Sequence, residues 1–242
     1  MVLGTREIAK RLARGDKRTG PEDLVIRPLP SSDVLETNAA SIDLHLGCWF
    51  AAMRESRVPV LHLDDDRDRV VARARLSAEQ IEVLEEHLPV NLGSREANIA
   101  KTYYVAFGRP FVLHPQHFVL GVTLEWMRLP YNLAGYVIGR SSWGRRGLII
   151  ATAVGVHPHF VGCLTLELTN VGEVPIAVKP GAAICQLFLH TVQSGGKEAP
   201  TSQFACNRQP FVGKVEMDLL GKRLSEPYPE SNKGSGFSIQ GK

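Results

Sequence analysis

Ile42, Leu44 and Leu46 alternate with Asp43, His45 and Gly47, the period of a half-buried strand over Ala40–Gly47. A helical period precedes it. Ile8 and Leu12 lie four apart, Thr5 can cap the segment and Gly15 can end it, so Thr5–Gly15 reads as a helix. A second helix is expected where Ser77-Ala78-Glu79-Gln80 forms a capping box, with Ile81, Leu84 and Leu88 on one stripe and Pro89 as the stop. Between them, Asp64–Arg75 is charge-rich and expected on the surface.

From Tyr103 the period of two takes over. Strands are expected at Tyr103–Phe107, Phe111–Leu113, Phe118–Leu124, Ala134–Ile138, Leu148–Ala151, Leu164–Leu168 and Ile184–Thr191. Gly108-Arg109-Pro110, Leu129-Pro130 and Lys179-Pro180-Gly181 punctuate them. Many short strands at close spacing predict a mainly β fold, a barrel or sandwich-like core with a few peripheral helices. Residues 1–193 form one domain in this reading, with the N-terminal helix and a helical insertion near 77–88. Residues 194–242 form a polar, glycine-rich extension, and Ser231–Ser238 is expected to be a mobile tail able to act as a flexible lid.

Composition narrows the class. With 242 residues and 44% hydrophobic content, the chain can bury a sizeable core. A net charge of +3 gives no ground for a nucleic-acid or membrane surface. No apolar run is long enough to span a bilayer, and Met1–Lys10 lacks the apolar stretch of a signal peptide. Cys48, Cys163, Cys185 and Cys206 form no CxxC pair, so reduced thiols in a cytoplasmic protein are expected.

Candidate chemistry concentrates in two segments. Gly139-Arg140-Ser141-Ser142-Trp143-Gly144-Arg145-Arg146-Gly147 supplies amides, hydroxyls and guanidinium groups that suit phosphate oxygens, and equally suits a solvated surface turn. In Thr165-Leu166-Glu167-Leu168-Thr169-Asn170, Glu167 interrupts an apolar alternation. It faces either solvent or an enclosed site where burial tunes it for proton transfer. Asp43 and Gln186, polar residues in apolar strands, are ladder-edge side chains or ligand contacts. His157-Pro158-His159 and the pair His114 and His117 lack the companions of a metal site, so none is expected. The H-x-E and P-C-x-x-C elements of zinc nucleobase deaminases do not occur.

These pieces stand in an order that resembles a known family. Ser41–Gly47, Phe118–Glu125, Gly139–Leu148, Thr165–Asn170, Pro180-Gly181 and Gln186-Leu187 are similar to the motifs of the dCTP deaminase branch of the trimeric dUTPase-like superfamily, over about Thr5 to Thr191. The resemblance implies a distorted β-barrel of the dUTPase-like (β-clip) type and homotrimers with active sites between subunits. It also implies zinc-free deamination of dCTP, with Mg2+ carried by the nucleotide triphosphate.

Residue by residue, it implies that Glu167 is the proton shuttle, Arg145 its charge partner and Ser141 the group that positions water or the leaving amine. Trimeric dUTPases usually carry an apolar residue at the Glu167 position. Arg140, Ser142 and Gln186 fall on phosphate-side positions, and Ala153 and Val154 join them in the substrate-binding set. One segment departs: Gly155–Gly162 lacks the family's Asp, which meets the deoxyribose and in dUTPases helps activate water. The function expected is deamination of a cytosine deoxynucleotide, dCTP to dUTP and ammonia. The alternatives are a dUTP pyrophosphatase or bifunctional enzyme giving dUMP, and a nucleotide-binding regulator without turnover.

Overall fold

The computed structural model describes residues 1–12, 20, 23–53, 100–151, 155–193, 206–210 and 212. The chain divides into two compact units, of which the second, 57–90 and 214–242, lies outside the described residues. So do the expected Ser77 helix, the Asp64–Arg75 run, Gly15 and the Ser231–Ser238 tail.

The first unit is mainly β, as the alternation requires. Its strands are β1 (Val25–Arg27), β2 (Ile42–Met53), β3 (Ala100–Tyr104), β4 (Phe111–Leu113), β5 (Phe118–Arg128), β6 (Leu133–Gly139), β7 (Leu148–Ile150), β8 (Gly155–Val156), β9 (Val161–Asn170), β10 (Ile176–Val178) and β11 (Ala183–Thr191). Among the described residues, three short helices accompany them: α1 (Thr5–Arg11), α2 (Ser32–Glu36) and α3 (Ser141–Gly144). Nine strands make one curled antiparallel sheet in the order β7-β9-β5-β2-β11-β6-β8, with β1 added to β5 and β3 to β2. β4 and β10 form a separate ribbon.

β2 organises the sheet because it changes partners along its length. Its first residues pair with β11, Asp43 opposite Gln186 and His45 opposite Ala183. Its later residues pair with β5, Phe50 opposite Gly121, and with β3. The inward positions Ile42, Leu44, Leu46 and Phe50 are almost fully buried and meet Leu166, Leu168 and Leu187 in one core. Phe50 also stacks on Phe111, centroids 4.5 Å apart. The outward positions Asp43 and His45 stay half-exposed, so the strand's two-residue period sorts core from chemistry.

Several local expectations are corrected. Gly4, not Thr5, is the N-cap of α1, and the helix stops at Arg11 with Leu12 as its C-cap. Thr5 is buried and its hydroxyl donates to the Thr37 carbonyl, a tertiary bond that outcompetes local capping. The Tyr103–Phe107 expectation shifts to Ala100–Tyr104, set by pairing with β2. Three strands too short to show a period, β1, β8 and β10, exist only through their partners.

Candidate active site

Arg140–Arg146 is a one-turn helix rather than an open turn. Arg140 is the N-cap of α3, and Arg145 N–H closes the turn on the Ser141 carbonyl at 3.0 Å. Gly147 leaves it at φ +88, a left-handed backbone that glycine adopts without steric cost.

Two bonds dock α3 on β11. Arg140 N–H donates to the Ile184 carbonyl at 3.0 Å, and the Trp143 indole N–H to the Ala183 carbonyl at 2.9 Å. Both carbonyls flank the irregularity between Ala183 and Cys185, where the β2 ladder is interrupted.

Asp43 gathers the polar side chains. Arg140 Nη1 donates to Asp43 Oδ2 at 2.8 Å, and Gln186 Nε2 donates to Asp43 Oδ1 at 3.0 Å. Gln186 stands directly across the ladder from Asp43, so register alone brings them together. The chain thus joins three of the residues that the sequence singled out. Ser141 and Ser142 on α3, and Arg145 at its C-cap, are exposed. Arg146 turns away, its Nη1 donating to the Ser142 carbonyl at 2.6 Å.

Glu167 sits on β9, half-buried. β7 runs from α3 back to it: Ile150 pairs with Leu168, and Ala151 N–H donates to the Glu167 carbonyl at 2.9 Å. Burial raises its carboxyl above the usual 4.5. Among the described residues, no hydrogen bond or ion pair joins Glu167 to Arg145 or Ser141 within one chain. Ala153 and Val154 lie outside the described residues.

The cysteines offer no nucleophile in the core. All four are free, and burial pushes the Cys185 thiol up to about 12, with the Glu125 and Asp43 carboxylates adding to the shift. Among the described residues, no three His, Cys, Asp or Glu side chains converge as a ligand set. His157 is exposed and His159 holds φ +65 in the turn closed by Phe160 N–H on the His157 carbonyl.

Sequence reasoning missed two polar residues. Asn170, fully buried, ties the end of β9 to the Leu113 and Val174 carbonyls and accepts from Gly172 N–H. Glu125, also buried, binds His45. A carboxylate inside the apolar Phe118–Trp126 run was the available signal for Glu125. Asn170 closed the Thr165–Asn170 motif, with no role read from it.

The model of the family described as dCTP deaminase-like matches residues 2–192. The chain belongs to the dCTP deaminase-like family. Its similarity to individual members is spread over most of its length. It is 32% identical, over 92% of this chain and 98% of the relative, to a "dCTP deaminase, dUMP-forming" of Dictyoglomus thermophilum. It is 32% identical, over 92% of this chain and 97% of the relative, to a "dCTP deaminase" of Natronomonas pharaonis. Among solved structures, a 2'-deoxycytidine 5'-triphosphate deaminase from Agrobacterium tumefaciens superposes with a TM-score of 0.49 at 16% identity. That match covers 78% of this chain and 46% of the other. For a dCTP deaminase-like chain, the notable local feature is the Asp43-centred grouping of Arg140 and Gln186 beside α3.

Proposed function

We propose that this protein deaminates dCTP hydrolytically to dUTP and ammonia, without zinc. The observation that carries the reading is Glu167, a half-buried carboxyl whose pKa burial raises. Such a group exchanges protons near neutrality more readily than an exposed carboxylate. The carboxylate takes a proton from water as its oxygen bonds to C4 of the cytosine, and delivers one to N3. A further proton passes from the new C4 hydroxyl, through the Glu167 carboxylate, to the exocyclic amine, as that hydroxyl becomes the C4 carbonyl. The C4–N bond then breaks and ammonia leaves, so dCTP and water are consumed and dUTP and ammonia formed.

The Arg145 guanidinium orients the carboxylate and stabilises the adduct. Ser141 positions the water or the amine. Arg140, Ser142 and Gln186 hold the phosphates, Ala153 and Val154 complete the substrate contacts, and Mg2+ travels with the triphosphate as part of the substrate. Among the described residues no hydrogen bond or ion pair joins Glu167 to Arg145 within one chain, and the family resemblance supports a site completed between copies, in a homotrimer in the cytoplasm. The Glu167→Gln variant tests the core claim: it should release no ammonia from dCTP, and wild-type turnover in that variant would end it.

A second reading has its own support. Relatives at 32% and 34% identity carry the description "dUMP-forming". Pyrophosphate release accompanying ammonia from dCTP would establish that product; ammonia alone supports dUTP.

A further inference from the structure

His45 lies two residues from Asp43 on β2, on the same outward face, roughly 7 Å along the strand. It is anchored from beneath by Glu125. Glu125 Oε2 accepts from the His45 backbone N–H at 2.9 Å, and Oε1 lies 2.6 Å from His45 Nδ1. The Glu125 side chain is 5% exposed and the His45 side chain 41%. A carboxylate only accepts, so Nδ1 carries the hydrogen. Nε2 lies across the ring from that contact.

A purely structural role explains half of this. The backbone amide at residue 45 faces an interrupted ladder, and one carboxylate oxygen satisfies it. That bond would form with any side chain at 45. The imidazole contact adds a ring with a fixed tautomer, a fixed orientation and a nitrogen opposite that contact, the same arrangement by which Asp43 holds Arg140. Both anchored groups flank the point where Trp143 pins α3 to Ala183, the residue opposite His45.

We propose that His45, held by Glu125, is a second anchored donor for the phosphate chain of the nucleotide, alongside Arg140. This rests on the functional reading above, which places phosphates at Arg140. In the imidazolium form both nitrogens donate: Nδ1–H to Glu125 and Nε2–H to a phosphate oxygen.

The test is calorimetric binding of inorganic tripolyphosphate and of Mg2+-dCTP to the full chain, with two substitutions. His45→Asn keeps a donor at the Nδ1 position and loses the outer one. His45→Gln places its amide at the Nε2 position. The expected result is binding weakened about tenfold or more in His45→Asn, with that variant as heat-stable as the parent, and less than about threefold in His45→Gln. Unchanged binding in His45→Asn overturns the proposal, as does a greater loss in His45→Gln, which would mark a structural contact to Glu125. Ammonia release unaffected in His45→Asn at low dCTP would sink the phosphate role and leave deamination standing. Tripolyphosphate binding that follows the expected order, without any dCTP turnover, would sink the deaminase reading and leave the site standing. Absence of binding to either ligand overturns the proposal.

Discussion

Asp43 Oδ2 accepts from Arg140 Nη1 at 2.8 Å, and this one contact decides where the guanidinium on α3 points. The carboxylate belongs to β2 and the arginine to the cap of a helix 97 residues later. Asp43 also holds Gln186, so removing it frees two side chains at once.

Asp43→Asn should therefore raise KM for dCTP about tenfold while kcat changes little, because the loss falls on substrate holding. Stability should change by less than about 1 kcal/mol, since both side chains are partly solvated. Steady-state ammonia release, together with a thermal melt, separates the two effects. A fall in kcat with KM unchanged would contradict this role.

Glu167→Gln should lower kcat by about two to four orders of magnitude and leave the fold intact. It should also change the pH dependence of stability. Burial raises the Glu167 carboxyl above 4.5, so the folded chain prefers its protonated form. That contribution is present at low pH and is lost as pH rises through the raised value. The Gln variant lacks this loss, so its melting temperature should gain on the parent as pH rises from 4.5 through the raised value. A constant difference across that range would contradict the burial of the charge.

His159 holds φ +65 behind Pro158, a conformation suited to glycine. His159→Gly should relieve about 1 kcal/mol of backbone strain, seen as a higher urea midpoint at unchanged slope. A lower midpoint would show that the side chain's own contacts outweigh the strain.

Gly162 sits at φ +139, and a Cβ there would come within 3.1–3.3 Å of the backbone of Cys206 and Asn207. That segment is tied to β9 by Cys206 N–H to the Val161 carbonyl and Cys163 N–H to the Asn207 carbonyl. Gly162→Ala should break both bonds. Hydrogen exchange at the Cys206 and Cys163 amides should accelerate by about tenfold or more while the amides of β5 keep their protection. Unchanged exchange would mean that the backbone shifts to accept the methyl group.

The alternation of apolar and polar residues determined the mainly β class, placed β5, β6, β9 and β11 within a few residues, and found the first half of β2 but not its continuation to Met53, because a half-buried strand writes its period directly into its own side chains. It also marked Glu167, Gln186 and Asp43 as polar residues in apolar strands, while Arg140 stood out by the guanidinium and hydroxyl groups of its turn. Tertiary structure alone decided which of these meet. Asp43 and Gln186 become neighbours through the β2–β11 register, and Arg140 joins them because α3 docks where that ladder is interrupted. The same holds for Glu125 and His45, 80 residues apart, and for the loss of Thr5 as a cap to Thr37. Such contacts depend on register and on the competition between local and distant partners, and neither is a property of any one segment of sequence.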